Sequence, residues 1–158
     1  MIGSVKKILA PTDFSEYSME ALRGAMELAK DLDGELHIVH VVAPHFALFD
    51  KMREQARETL MVEEAEEELV RIRKDDCANS AKVFTQVMVG PPVPKLVEYA
   101  KDQQIDLILL ATHGRTGIEH LMIGSVAEKL VRAAPCPVLV FRQRKPVPLA
   151  PQNLVRPE

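Results

Sequence analysis

Five short runs of β-branched and other apolar residues alternate along the chain with four segments of helical periodicity. The runs span residues 5–10, 35–42, 83–89, 107–111 and 136–142. Near-continuous apolar character is typical of strands buried on both faces, and strands that alternate with helices form parallel sheets through right-handed crossovers. We therefore predict one Rossmann-like, three-layer α/β/α domain with a five-stranded parallel sheet over residues 1–142. Residues 143–158 hold four of the eleven prolines and are expected to form an extended tail.

The helical periodicity also predicts which faces pack on the sheet. The first helix, residues 16–33, precedes Gly34, which suits a left-handed C-terminal cap, and the second spans residues 49–74 with glutamates at 63–68 outward. The inward residues are Met19, Leu22, Ala25, Met26, Ala29 and Leu32 in the first helix and Phe49, Met52, Ala56, Leu60, Ala65, Leu69 and Ile72 in the second. They are Val93, Leu96, Val97 and Ala100 in the third helix and Val126, Ala127, Leu130, Val131 and Ala134 in the fourth.

Composition argues against several classes of protein. The hydrophobic fraction of 47% is ordinary for a globular chain, and no apolar run approaches the ~18 residues of a membrane span. A net charge of −3 without a basic stripe argues against nucleic-acid binding. The first residues contain no long apolar stretch, so we expect a cytoplasmic protein. Cys77 and Cys136 form no CxxC motif, and His37 and His40 face opposite sides of one strand, so neither pair predicts a metal site.

The segment from Ala111 to Ser125, ATHGRTGIEHLMIGS, joins a predicted strand to a predicted helix through a glycine-bearing loop. Gly114 and Gly117 allow a ligand to approach the backbone closely. Gly124 and Ser125 precede a helix whose first amide groups lack internal partners and whose dipole favours negative charge. This junction therefore predicts an anion site, and phosphate is the natural candidate.

A crevice is predicted where the carboxyl ends of the strands meet. In open α/β sheets, ligands bind outside these ends, near the point where the strand order reverses. This rule selects Pro11-Thr12-Asp13, Val41-Val42-Ala43, Val89-Gly90 and the run from Ala111 to Gly114. Apolar residues near Val41 would pack a flat base, Asp13 would accept a hydrogen bond from a ribose hydroxyl or a metal-bound water, and the glycine loop would hold phosphates. The parts suit a nucleotide.

The same residues carry a resemblance to a known family. PTDFS, the HV pair of the second strand, MVG, THGRTG, LMIGS and APCPVLVFR, between Lys6 and Arg142, resemble the universal stress protein family. Its nucleotide-binding members carry a glycine, two residues, a glycine, nine residues, and then glycine with serine or threonine. Gly114, Gly124 and Ser125 match this pattern, whereas Ala111 stands at the first glycine. Alanine keeps the backbone donor and adds one methyl group.

The resemblance implies a strand order of 3-2-1-4-5, a homodimer through the last strand at residues 138–141, and bound ATP, with ADP or AMP as alternatives and Mg²⁺ or Mn²⁺ accompanying the nucleotide. It assigns Pro11, Asp13 and Val41 to adenosine, and Gly114, Gly124 and Ser125 to phosphates. Arg115 is our addition, as a cation within the loop. The complete predicted site is Pro11, Thr12, Asp13, Val41, Val89, Gly90, Ala111, Thr112, His113, Gly114, Arg115, Gly117, Gly124, Ser125 and Val126.

Each assignment has a structural alternative. Asp13, Ser15 and Ser125 are also able helix caps, two nearby glycines often only make a turn, and His113 is more often structural than catalytic in such a loop. A hydrolase triad of Ser125, His113 and Asp13 is rejected because the G-x-S-x-G elbow is absent.

Three functions follow from these readings. The first is a regulatory binding module whose nucleotide occupancy tunes its stability or partner binding during stress. The second is a slow ATPase or self-phosphorylating protein. Hydrolysis is expected to be slow because no Walker A lysine precedes Ser125. The third is a dimeric interaction protein without nucleotide, against which the Gly124-Ser125 pair argues.

Overall fold

The computed structural model describes residues 4–44, 51–75, 82–112 and 124–142. Five strands and four helices alternate in these residues: β1 (Lys7–Pro11), α1 (Glu16–Asp31), β2 (Glu35–Val42), α2 (Lys51–Asp75), β3 (Val83–Val89), α3 (Pro92–Asp102), β4 (Leu107–Ala111), α4 (Ser125–Ala133) and β5 (Val138–Phe141). All strand pairs are parallel, in the order β3-β2-β1-β4-β5. The predicted α/β fold and strand order are confirmed. The predicted tail, residues 143–158, lies outside the described residues.

The sheet has a packed layer on each face. Ile8 and Ala10 of β1 join a core with α1 and α2, and Leu9, between them in sequence, joins a second core with α3 and α4. This division follows from the alternation of side chains along a strand. All three residues are at most 1% exposed, so β1 is the buried centre of the sheet.

Asp106 ties the start of β4 to the start of β1. It interrupts an otherwise apolar run, and its Oδ2 accepts hydrogen bonds of 2.9 Å from the backbone amides of both Lys6 and Lys7. Lys6 precedes β1 and Lys7 is its first residue, so their amides lie at the end of the strand where backbone hydrogen bonds to neighbouring strands begin. The single carboxylate therefore satisfies two backbone donors and fixes how β1 and β4 begin together.

The end of α1 differs from the prediction in the role of Gly34. The left-handed residue is Asp33, with φ of 48°, while the Gly34 amide donates to Ala29 O at 2.8 Å as in a Schellman motif. Gly34 is required for another reason: a Cβ atom there would lie 2.7 Å from the carbonyl oxygen of Lys6. Gly34 therefore lets the chain before β2 pass close to the Lys6 carbonyl before β1, whereas Asp33 adopts the left-handed conformation.

The inward face predicted for α2 is wrong in its first half. Ala65, Leu69 and Ile72 are buried as expected, but Ala56 is exposed and Met52 and Leu60 are 84% and 58% exposed. A helix of 25 residues spans about 37 Å, whereas the strands below it span about 25 Å, so only part of it has a sheet to cover. Phe49 lies outside the described residues.

Three further residues predicted to face inward are also exposed. Leu32 is the C-terminal cap of α1, beyond its last packed turn, and Val126 and Val131 flank the narrow strip through which α4 packs. That strip consists of Ala127 and Leu130. The helices are therefore where predicted, but their buried faces are narrower than the apolar pattern suggests.

His37 and His40 point to opposite faces of β2, as the sequence predicts. His37 is 3% exposed, and its Nδ1 lies 2.9 Å from the hydroxyl of Tyr99 on α3. Its Nε2 has no hydrogen-bond partner, and Glu35 Oε2 is 3.7 Å away. Burial lowers the pKa of His37; the nearby Glu35 carboxylate opposes this shift and Lys7 adds to it. The neutral imidazole is the form that this site favours.

None of the helices within the described ranges is both long and apolar enough to cross a lipid bilayer. Cys136 is a free, half-buried thiol, and burial, followed by the charge of Asp106, raises its pKa. Cys77 lies outside the described residues.

We predict different effects on stability for two neighbouring substitutions after α1. Gly34→Ala brings a methyl group against Lys6 O and should lower the free energy of unfolding by about 1–3 kcal/mol. Asp33→Gly removes a left-handed non-glycine residue, and this gain offsets the extra entropy of the unfolded chain, so the change should stay within about 1 kcal/mol. Urea unfolding of both variants measures the difference. Equal destabilisation would contradict the assigned roles.

We also predict that His37 makes the fold sensitive to mild acid. Because the folded-state pKa is lowered, the unfolded chain binds the proton first, and the stabilisation present above about pH 6.5 is lost as the pH falls through the folded pKa. One proton limits the change of the unfolding free energy with pH to about 1.4 kcal/mol per pH unit. Urea unfolding at several pH values should show that the unfolding free energy of His37→Gln depends less steeply on pH than that of the wild type. Identical slopes would mean that His37 does not titrate differently on folding.

Candidate functional site

A cavity of about 330 Å³ lies at the carboxyl ends of β1 and β4. These two strands are neighbours in the sheet but not in the sequence, so the strand order reverses between them. The described lining residues are Pro11, Thr12, Asp13, Ser18, Val39, Val41, Pro92, Leu96, Leu110, Ala111, Thr112, Gly124, Ser125, Val126 and Ala127. The cavity is within the size range of small-molecule sites, roughly 300–1,000 Å³.

The structure brings together nine of the predicted site residues. Pro11, Thr12, Asp13, Val41, Ala111, Thr112, Gly124, Ser125 and Val126 all line this cavity. Four others, His113, Gly114, Arg115 and Gly117, lie outside the described residues. The rule that ligands bind at strand ends thus gathers residues more than a hundred positions apart.

Val89 and Gly90 do not line the described cavity. β3 is an edge strand, two strands away from β1, so its end does not reach the point of reversal. Gly90 instead closes the turn into α3: its amide donates to Val42 O at 3.0 Å, and its φ of 143° favours glycine. The first turn of α3 reaches the cavity in its place, through Pro92.

The sequence does not indicate six further lining residues: Ser18, Val39, Pro92, Leu96, Leu110 and Ala127. Three of them, Ser18, Pro92 and Ala127, lie in the first turns of α1, α3 and α4, and Leu96 begins the second turn of α3. In the sequence, their apolar or small side chains look like core positions. A strand end in this fold faces the helix that follows it, so extending the strand-end rule to the first two helical turns includes these four residues.

The turn after β1 is held by a dense hydrogen-bond network around Thr12. His40 Nδ1 lies 2.8 Å from Thr12 O, and because a carbonyl only accepts, that nitrogen carries the proton. Thr12 Oγ1 accepts from the Phe14 amide at 3.0 Å and lies 3.1 Å from Ser18 Oγ. Thr12 is 5% exposed. The backbone of this turn is therefore fixed from both sides.

The sequence leaves open whether Asp13 or Ser15 caps α1, and the structure gives this role to Ser15. Ser15 is the N-cap of α1 and accepts from the Ser18 amide at 3.2 Å. Asp13 Oδ1 accepts from the Ser15 amide at 3.0 Å, which is the geometry of an Asx turn. This turn orients the Asp13 carboxylate at the cavity wall, so its local structural role and a ligand-binding role are compatible.

Phe14, next to Asp13, adopts an unfavourable left-handed conformation. Its φ is 62°, which is rare for a bulky residue and costs on the order of 1–3 kcal/mol. Its ring stacks on His40 with 4.5 Å between centroids. Packing of the partly buried ring against the core and its stacking on His40 hold the strained backbone next to Asp13.

The opposite wall is the beginning of α4. Gly124 is the N-cap residue, with extended backbone and no side-chain cap, and its amide donates to Thr112 O at 2.6 Å. Ser125 is therefore the first helical residue, and the alternative that it serves as the N-cap is wrong. The amides of the first turn receive no side-chain acceptor from the cap, and they carry the positive end of the helix dipole.

The chemistry of the described lining is suited to binding. Val39, Val41, Leu96 and Leu110 supply apolar walls, whereas Asp13 is the one ionisable side chain among the described lining residues. No group of three potential metal ligands occurs among the residues that the structure describes. The arrangement fits a molecule with a flat apolar part, a hydroxyl-bearing part near Asp13 and an anionic part at α4.

Residues 4–142 match the Universal stress protein family. Universal stress protein MJ0531 from Methanocaldococcus jannaschii is 37% identical to this chain over 142 residues, covering 89% of this chain and 84% of that protein. The solved structure of MJ0577 from the same organism has 29% identity and a TM-score of 0.79, covering 90% of this chain and 99% of that one. UspA from Lactobacillus plantarum has 24% identity and a TM-score of 0.81, covering 89% and 99%.

Two solved relatives contain adenine nucleotides. A universal stress protein family member from Arabidopsis thaliana has AMP bound, with 15% identity, a TM-score of 0.54 and coverage of 88% and 92%. Another universal stress protein is in complex with cAMP, with 21% identity, a TM-score of 0.62 and coverage of 88% and 98%. At these identities the likeness to this chain is one of fold.

We predict that Thr12→Val loosens the turn after β1. The substitution keeps the shape of the side chain but leaves the partly buried Phe14 amide without its acceptor, which should cost about 1–3 kcal/mol of unfolding free energy. Thr59→Val is a matched control, because Thr59 is exposed on α2 and should change stability by less than about 0.5 kcal/mol. Urea unfolding measures both. Equal effects would contradict a special role for Thr12.

Proposed function

The chain belongs to the universal stress protein family, and from that membership and the cavity between β1 and β4 we propose that it binds an adenine nucleotide, ATP in the first instance. The observation that carries the proposal is the start of α4, whose N-cap Gly124 gives the first amides no side-chain acceptor and which shares one cavity with Asp13. ADP and AMP are the alternatives for the same site. AMP and cAMP in two relatives support the ligand class.

The parts of the nucleotide correspond to distinct walls of the cavity. The base would pack against Val39, Val41 and Leu96, where apolar side chains exclude water. The ribose hydroxyls would donate to the Asp13 carboxylate. The phosphates would accept hydrogen bonds from the first-turn amides of α4, whose charge is complementary to theirs. Ala111, in place of the family glycine, lines the same cavity.

A divalent metal ion would enter together with the nucleotide. The phosphates supply most of the oxygen ligands that Mg²⁺ or Mn²⁺ requires, and Asp13 would contact the metal ion through a water molecule. Within the described residues, the cavity lining holds no lysine or arginine that would clamp phosphates during hydrolysis. Because no Walker A lysine precedes Ser125, we propose that the protein holds the nucleotide and does not hydrolyse it rapidly.

The biological role that follows is that of a cytoplasmic, homodimeric stress-response module whose occupancy tunes its stability or partner binding. A ligand bound only by the folded state stabilises it by about 2.7 kcal/mol at a hundredfold excess over Kd. We propose that the dimer forms through β5, which is the edge strand of the sheet. Leu139 on β5 and Val131 on α4 are 48% and 52% exposed, and pairing at this edge would cover such residues.

We predict that the purified protein carries or binds an adenine nucleotide. Anion-exchange chromatography of the supernatant after denaturation should resolve the nucleotide, and added Mg-ATP should raise the thermal unfolding temperature. With no tryptophan and two tyrosines, the chain contributes little ultraviolet absorption of its own. The proposal fails if no nucleotide is released and no shift occurs with ATP, ADP or AMP.

The location of the phosphates is tested by Gly124→Val. The extended backbone of Gly124 accepts a valine, so the fold should persist, but the branched side chain would stand where the phosphates approach. We expect binding at least tenfold weaker, equivalent to about 1.4 kcal/mol. Ala133→Val, at the other end of α4, is the matched control and should retain affinity. Retained affinity in Gly124→Val would place the phosphates elsewhere.

A further inference from the structure

His40 lies near the end of β2, and its side chain points away from the candidate cavity. Its neighbours in the strand, Val39 and Val41, both line the cavity, and successive side chains alternate between the two faces of a strand. His40 is buried and is not among the described lining residues. It therefore acts on a ligand in the cavity through the groups that it contacts, and not by touching the ligand.

His40 contacts the turn after β1 at two points, one on each side of Asp13. Its Nδ1–H donates to the carbonyl oxygen of Thr12 at 2.8 Å. That carbonyl belongs to the planar peptide group that joins Thr12 to Asp13, so the hydrogen bond fixes the orientation of this group. The imidazole ring also stacks on Phe14, the residue after Asp13, with 4.5 Å between centroids and 27° between planes. One side chain thus holds both neighbours of Asp13.

These contacts occur where the regular pairing of the sheet ends. β1 and β2 pair as far as Pro11 and Val39, and the Thr12 amide still donates to Val39 O at 2.9 Å. Beyond this point the chain turns toward α1, and Phe14 adopts its left-handed φ of 62°. A strained conformation of this kind persists only when the surrounding structure holds it. The turn therefore depends on its attachments, and His40 supplies two of them.

We propose that His40 is a positioning residue of the nucleotide site: its Nδ1–H holds the peptide group before Asp13 in the orientation that presents the Asp13 carboxylate to the cavity. The inference rests on the proposed function, in which this carboxylate accepts hydrogen bonds from the ribose. Asp13 lines the cavity, and its Oδ1 accepts from the Ser15 amide at 3.0 Å, so the carboxylate follows the backbone of the turn. Without the His40 donor the turn has more conformations to lose on binding, and the affinity falls.

Two substitutions of equal size separate the hydrogen bond from the rest of the side chain. Asparagine carries an N–H donor at the same place along the side chain as Nδ1, whereas leucine has the same branching without a donor. Both remove the ring, so the difference between them reports the hydrogen bond alone. In titration calorimetry with Mg-ATP, at a temperature where every variant is folded, His40→Asn should bind at least about tenfold more tightly than His40→Leu, equivalent to about 1.4 kcal/mol. Equal affinities of the two variants would overturn the proposal.

His37 provides the matched control, because it is the other buried histidine of β2. It lies about 10 Å from His40 along the strand, and its Nδ1 is within 2.9 Å of the Tyr99 hydroxyl, away from the turn after β1. His37→Leu should therefore lower the unfolding free energy but change the affinity for Mg-ATP by less than about threefold. If His37→Leu weakens binding as much as His40→Leu does, the effect is a general loss of stability and the positioning role is wrong.

Amide hydrogen exchange of the ligand-free protein tests the same contact without a nucleotide. The Phe14 amide donates to Thr12 Oγ1 within the turn, and the Leu36 amide is bonded at the other end of β2. His40→Leu should speed exchange of the Phe14 amide at least about tenfold more than that of the Leu36 amide, because local opening of the turn exceeds any change in global unfolding. His40→Asn should keep the ratio of the two rates close to that of the wild type. Equal acceleration of both amides in His40→Leu would overturn the proposal.

The two measurements distinguish failure of this inference from failure of the proposed function. If the wild type binds no adenine nucleotide, the proposed function fails, and the exchange rates alone decide whether His40 holds the turn. If the wild type binds Mg-ATP and His40→Leu binds it equally well, the proposed function stands and the positioning role of His40 is overturned.

Discussion

The parallel pairing of β1 with both β2 and β4 is the constraint on which the rest of the structure depends. Ile8 and Leu9 of β1 are fully buried on opposite faces, so each helical layer packs against this strand. Asp106 fixes the shared beginning of β1 and β4 through two amides. The carboxyl ends of the same two strands diverge toward different helices, and the candidate site occupies that gap. The position of β1 between β2 and β4 therefore supports both the core and the candidate site.

The sequence predicts the strands and helices well because buried parallel strands are apolar on both faces and the helices between them are amphipathic. It is less informative where one pattern has two physical causes. Gly34 indicates either a left-handed residue or a close backbone contact, and the structure has Asp33 in the first role and Gly34 in the second. Likewise, the periodicity of Met52, Ala56 and Leu60 indicates a face without saying what covers it.

The candidate site was partly predictable for a related reason. The strand-end rule depends on topology, and it gathered residues from β1, β2, β4 and the start of α4 around one cavity. Val89 and Gly90, which the same rule selects, do not line the described cavity because an edge strand ends away from the reversal point, and the order of strands is not visible in local patterns. Nor does sequence reveal the left-handed Phe14, since only the contact with His40 shows what holds that turn.

The bridge between Asp106 and the backbone of Lys6 joins residues 100 positions apart, which orders events during synthesis. β1 is synthesised about 100 residues ahead of β4, so at about 5–20 residues per second the side of β1 that pairs with β4 would wait roughly 5–20 s for its partner. Non-local pairing of this kind is intrinsically slow to form. The step that covers this side of β1 also brings together the two strand ends that line the cavity, so the nascent chain becomes able to hold a ligand only after β4 and the start of α4 are in place.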